Sequence, residues 1–188
     1  MADWYEKLTF YFPEIEMKIK GQMEQLFLDK DGIYKRDEGI DYVLIYLEKE
    51  DFIFIDYILI TGSNRGKGAG SRLIDRLKRK GKPIILEVEP INSQDPDSKK
   101  RVRFYEKNGF KMARSITYQR MHIVTNELNE MDIYYWSPEK ISENWIFAKM
   151  KETYIQVHTY KAKDIYGKEM QHVSEVLYLN KNILRRAE

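Results

Sequence analysis

The residues best suited to chemistry in this chain begin at Asp56, where the apolar run DYILITGSNRGKGAG passes through a glycine-rich turn into SRLIDRLKRKGK, a basic amphipathic segment. Glycines 66, 68 and 70 leave no Cβ between ligand and backbone. Amides of the turn and of the first helical turn can then point at a pyrophosphate, with the helix dipole behind them. The junction reads as a site for a phosphorylated ligand, and the spacing narrows which one. A Walker loop, G-x-x-x-x-G-K-[ST], fails because Lys67 precedes the glycine it should follow. A dinucleotide fingerprint, G-x-G-x-x-G, is met by Gly66 and Gly68 and by an acid, Glu87, about 20 residues on, but Ser71 holds the third glycine position. A third pattern, [RQ]-x-x-G-x-[GA] after an apolar strand, runs without a gap through Arg65, Gly66, Lys67, Gly68, Ala69 and Gly70.

A second signal lies downstream, where Phe104-Tyr105-Glu106-Lys107-Asn108-Gly109-Phe110 fits F/L-Y-x-x-x-G-F. In this order, with one strand between them, the two segments resemble the cofactor site of the GNAT superfamily of acyl-CoA-dependent N-acyltransferases. The resemblance covers about residues 10–137. It implies an α/β (α+β) fold, a mixed and mostly antiparallel sheet flanked by helices. An acyltransferase domain would span residues 1–137, with a C-terminal helical extension over 138–188 packed on that domain or at a homodimer contact.

The resemblance also implies acetyl-CoA as acyl donor. Its phosphates would lie on Arg65, Gly66, Lys67, Gly68, Ala69, Gly70 and Ser71, while pantetheine pairs with Ile58 and Ile60 like an added strand. A backbone amide near Leu59 or Ile60 would polarise the thioester carbonyl, and Ser98 would contribute from the first turn of the second cofactor helix. That turn departs from the family: many members carry asparagine and alanine seven and four residues before the motif tyrosine, where this chain has Ser98 and Arg101. Tyr105 matches the family tyrosine that donates a proton to the departing thiolate; the alternative is a ring that only packs.

Acyl transfer to an amine also needs a proton acceptor. Three carboxylates interrupt apolar strands, where a core role is hard to explain. Asp56 is expected on the strand face of Phe54, Ile58 and Ile60, and Glu87 and Glu89 on the face opposite Leu86 and Val88. Each could receive the amine proton directly or through water, or orient a cationic substrate; a solvent-facing edge or a salt bridge to Arg101 or Arg103 is the alternative. The expected reaction is direct transfer in a ternary complex to a primary amine, either a small cationic amine or a peptide or protein amine. A non-catalytic acyl-CoA-binding regulatory protein remains a reading of a different class.

Composition agrees with an enzyme of one domain: 188 residues, 43% of them hydrophobic, are enough for a core. A net charge of +2 does not mark the whole molecule as a nucleic-acid binder, although basic residues gather in the two cofactor helices. Without cysteine the chain forms no disulfide and carries no acyl group on a thiol. His122, His158 and His172 are scattered without metal-ligand spacing, and His158 reads as a surface or packing residue. The first residues lack an apolar signal and no run approaches the ~18 apolar residues of a membrane span, so a cytoplasmic protein is expected.

Periodicity supplies the elements. Pro13 opens a helix with Ile15, Ile19, Met23 and Leu26 on one face, and segments 42–47 and 52–61 form an antiparallel hairpin. The helix after the glycine turn buries Leu73, Ile74 and Leu77 and gives way to a strand over 84–89. Asp95-Pro96 caps the next helix and Asn108-Gly109 stops it. Strands are expected over 112–120 and 131–136, followed by a helix from Ser137-Pro138-Glu139 that carries Ile146, Phe147, Met150, Tyr154 and Val157.

Overall fold

Apolar residues concentrated between 42 and 60 place the expected hairpin at the centre of a sheet. A computed structural model describes residues 3–62 and 66–180; Arg65 lies outside the described residues. The strands are β1 (Tyr34–Gly39), β2 (Tyr42–Glu48), β3 (Ile53–Ile60), β4 (Ile84–Val88), β5 (Lys111–Met112), β6 (Ile116–Met121), β7 (Leu128–Trp136) and β8 (Leu177–Leu179). They form a sheet in the order β1-β2-β3-β4-β7-β6-β8, with β5 beside β7. All pairings are antiparallel except β3 with β4. Helices α1 (Trp4–Tyr11), α2 (Lys20–Asp29), α3 (Ala69–Lys78), α4 (Pro96–Lys107), α5 (Glu143–Thr153), α6 (Ala162–Tyr166) and α7 (Val173–Val176) flank the sheet, as expected of this mixed fold.

Each face of the sheet has its own core. On one, Ile74 and Leu77 of α3 and Val102 and Tyr105 of α4 meet Leu44, Ile53, Ile55, Ile84 and Leu86. On the other, α1, α2 and α5 cover Val43, Ile45, Phe54, Tyr57, Leu59 and Ile85. Ile146, Met150, Tyr154 and Val157 enter this second core at helical spacing, and each such burial contributes roughly 1.5–3 kcal/mol. The apolar face of the C-terminal segment is thus covered by the sheet, and β8 adds to β6. None of the described helices is long and apolar enough to cross a membrane.

Three local departures from the sequence expectation have physical causes. The segment after Pro13 is not one helix: Glu14–Glu16 forms a short 3-10 turn, residues 17–19 are extended, and α2 begins at Lys20. Four successive carbonyls, those of Ile15, Glu16, Met17 and Lys18, bond Asn129, Tyr57, His122 and Tyr5 at 3.0–3.1 Å, so tertiary partners replace the intrahelical ladder. The expected strand over 112–120 breaks at residues 113–115, where the Glu143 carboxylate accepts from the Arg114 and Ser115 amides. The last long helix starts at Glu143, capped by Ser142, rather than at Ser137. Several elements gave no signal, among them α1, opened by an Asp3–Glu6 capping box, and β1, a charged edge strand.

Candidate active site

Between β3 and β4 the sheet opens. Their parallel register covers only Ile53–Ile55 against Ile84–Leu86, so from residue 56 onward β3 has no pairing on its β4 side. A cavity of about 450 Å³ occupies the gap and reaches both faces of the sheet. On the α3–α4 face it is lined by Gly66, Gly68, Ala69, Gly70, Ser71, Phe104 and Tyr105. On the opposite face Glu16, Lys18, Asp56, Glu87, Arg120, Asn129 and His158 line it.

The glycine turn leads into the start of α3. Gly68, with φ +78°, caps α3 and makes no side-chain cap bond, which leaves the first-turn amides without a cap partner. A Cβ on Gly70 would come within 3.0 Å of the Phe104 ring, so only glycine lets α3 approach α4 this closely. Ile58, Leu59 and Ile60 line the same cavity. Lys67 is exposed and outside the cavity lining; its carbonyl accepts from the Arg72 guanidinium at 3.2 Å. Ser98 also does not reach the cavity: it is buried, accepts from the Asn92 amide at 2.9 Å and donates to the Asp95 carbonyl at 2.6 Å. The start of α4 is further closed by Asp95, which accepts from the Asp97 amide. Of the two helix starts, only that of α3 keeps its donors for a ligand.

Asp56 does not share a face with Ile58 and Ile60, contrary to the alternation rule. Tyr57 pairs with Ile45 and Ile55 with Tyr46, so Asp56 is the extra residue of a β-bulge. The bulge moves Tyr57 and Leu59 onto the face of Phe54, while Ile58 packs with Ile55 against the other core. Asp56 is then held by Lys18 Nζ at 2.7 and 2.9 Å and by the Tyr34 hydroxyl at 2.5 Å. Both members of the ion pair are buried, and truncating either one would cost about 3–5 kcal/mol by stranding the other. Glu89 is likewise committed, to Arg101, which also meets Asp95 at 2.8 Å. Two of the three candidate bases therefore already have cationic partners.

Glu87 differs. Its Oε1 lies 2.7 Å from Nε2 of His158, which is only 3% exposed and reaches the cavity from a widened turn, Tyr154–His158, at the end of α5. Phe54, Tyr118 and Tyr154 surround the imidazole at ring separations of 5.7–6.3 Å. Burial alone would raise the Glu87 carboxyl, but His158, Arg120 and Lys18 outweigh it and hold the group below its ordinary value. Burial pushes the His158 imidazole down, against the pull of Glu87, and the Lys18 and Arg120 charges add to that push. Neutral pH thus finds a carboxylate beside a neutral imidazole. Since the carboxylate only accepts, Nε2 carries the proton and Nδ1 keeps its lone pair, buried and without a hydrogen-bond partner.

His158 was read from the sequence as a surface or packing residue; it is instead part of this cluster. Lys18 and Arg120 also escaped notice, because strand and helix periodicity gives no hint that segments 18, 56, 87, 120 and 158 meet. Tyr105 lines the cavity as expected and its hydroxyl makes no hydrogen bond among the described residues. Burial raises its pKa well above the ordinary phenol value, so it remains a proton donor.

Comparison with known proteins agrees with this fold. A family model described as Acetyltransferase (GNAT) domain matches residues 25–112. The Bacillus subtilis (strain 168) protein named "Putative acetyltransferase YjbC" is 48% identical over 175 residues, which span 93% of this chain and 91% of that one. A solved structure from Bacteroides thetaiotaomicron, described as of the GNAT family, aligns with a TM-score of 0.61 over 88% of this chain and 90% of its own. At 20% identity that likeness is one of fold.

Proposed function

Because the chain belongs to the GNAT family of acetyltransferases, we propose that it moves an acetyl group from acetyl-CoA to a primary amine by direct attack within a ternary complex. The observation that carries this reading is the single cavity through the opened sheet, which joins uncapped helix amides on one face to a buried Glu87–His158 pair on the other. The residues fit the donor: Gly66 and Gly68 turn the chain with positive φ, the α3 amides suit a pyrophosphate, and the unpaired edge of β3 suits an extended amide-bearing arm. Acetyl-CoA, when bound, supplies the thioester carbon that the amine attacks.

The chain's own groups then divide the work. The Glu87–His158 pair takes the proton that the amine loses as the N–C bond forms, and the hydrogen bond between its members fixes the imidazole tautomer and stabilises the pair once protonated. A backbone amide of Leu59 or Ile60 polarises the carbonyl, and the Tyr105 hydroxyl protonates the sulfur as the C–S bond breaks. Asp56 and Glu89, engaged by Lys18 and Arg101, shape the walls instead of moving protons.

An acceptor screen with acetyl-CoA, following free thiol and acetylated amine together, tests the reading. The expected result is thiol release that depends on an amine and matches product one to one. Tight acetyl-CoA binding with only slow, acceptor-independent thioester hydrolysis would instead mark a binding protein.

A further inference from the structure

The face of the cavity opposite the glycine turn holds a cation that makes no ion pair among the described residues. Arg120 alternates with Tyr118 on the inward side of β6 and is 7% exposed, yet its side chain lines the cavity. Among the described residues no carboxylate lies within ion-pairing distance of its guanidinium, and its Nε is shut from solvent with no acceptor. The neighbouring charges have hydrogen-bonded partners of their own, Lys18 with Asp56, Arg101 with Glu89 and Asp95, and Glu87 with His158, while Glu87 and Glu16 act on Arg120 only through space. A buried guanidinium left unpaired opposes folding, so its presence is best explained by an anion that arrives later.

Resting on the acetyl-transfer reading, we infer that Arg120 binds the carboxylate of the acceptor, and that the acceptor is a small amine of the amino-acid type. A guanidinium fork matches a carboxylate in two parallel hydrogen bonds. Lys18 and Asp56 cancel, which leaves the negative Glu87–His158 pair and the positive Arg120 as separate poles of the pocket. A zwitterion satisfies both, its amine toward His158 and its carboxylate toward Arg120, whereas a purely cationic amine leaves Arg120 unpaired and is repelled by it. The acids that suggested a cationic acceptor in the sequence are therefore offset by partners that the sequence did not place beside them. The segment Ile15–Lys18, fastened by its four carbonyls, walls this end and favours a small molecule.

A panel of α-, β- and γ-amino acids assayed beside their carboxamides tests the assignment. The expected result is at least one acid preferred over its amide by about 10²-fold or more in kcat/KM, a preference that falls to within a few-fold in Arg120→Gln and survives in part in Arg120→Lys. Equal use of acid and amide by the unmodified protein, or a preference unchanged in Arg120→Gln, would overturn it. Melting of the ligand-free Arg120→Met variant guards against a purely structural role: an unpaired charge removed should leave the midpoint unchanged or higher, and a fall of many degrees would refute the inference. Calorimetric titration of the same pairs without acetyl-CoA separates the two readings. Arg120-dependent preference for the acid without turnover keeps this inference and loses acetyl transfer; turnover without that preference does the reverse.

Discussion

The two ends of the cavity are built by opposite means. At the donor end Ile58, Leu59 and Ile60 of β3 with Gly66 and Gly68 to Ser71, joined by Phe104 and Tyr105, offer mainly backbone: an unpaired strand edge, a glycine turn and amides uncapped among the described residues. At the acceptor end, side chains from five separate segments converge, and their charges decide one another's protonation. A backbone site needs the right spacing of small residues, so it can be written in a short motif. A side-chain site needs only that its members meet in space, so it can be drawn from anywhere in the chain.

If the donor end works through backbone, the largest loss should follow from placing a side chain there. Gly68→Val forces a β-branched residue into φ +78° at the cap of α3 and should abolish measurable acetyl-CoA binding while the circular dichroism spectrum of the fold persists. Unchanged calorimetric affinity in a folded variant would break the contrast at its donor side.

Tyr105 stands where the two ends meet, and its contribution should be smaller and purely kinetic. Tyr105→Phe keeps the buried ring and removes the hydroxyl; kcat should fall by roughly 10² while acetyl-CoA affinity stays within a few-fold. Equal turnover in steady-state assays would return the sulfur's proton to solvent or to another group.

The smallest effect concerns stability at the acceptor mouth. Burial raises the Glu16 carboxyl from 4.5 to about 7, with Glu89 adding to it, so folding disfavours the ionised form. Its contribution is fully present below pH 4.5 and is lost as pH rises towards 7 and beyond. Glu16→Gln should therefore gain several degrees of melting temperature over the unmodified protein at pH 8 and little at pH 5. The same gain at both pH values would mean that Glu16 is not strained by its charge.

These contrasts also explain what the sequence could reveal. The hairpin, the glycine-turn helix, the Asp95-Pro96 cap and the GNAT resemblance rest on signals within a dozen or so residues, and the structure carries them. The bulge at Asp56 was invisible because alternation assumes an unbroken register, and a single inserted residue reverses every face beyond it. Ser98 lies off the cavity lining because its hydroxyl is used by the local turn, which the motif spacing does not record. His158 looked ordinary because its meaning comes from Glu87, a residue seventy-one positions away in the chain. One signal was available: Asp56, Glu87 and Glu89 fall in otherwise apolar strands, and each is met by a partner from elsewhere in the chain, Lys18, His158 and Arg101.

The central claim is that a histidine from beyond the motif region completes, with Glu87, the base that serves a donor site written wholly within it. Kinetics of His158→Gln, in which the amide can still donate to Glu87 but has no basic nitrogen, tests this most directly when set beside calorimetric acetyl-CoA binding and a pH profile. The account requires donor affinity within a few-fold and kcat reduced by about 10²–10⁴. It also requires an acidic limb of kcat/KM in the unmodified protein, centred below the ordinary histidine value of 6.5, that disappears in the variant. A folded variant with full activity, or one that keeps the same acidic limb, would contradict it.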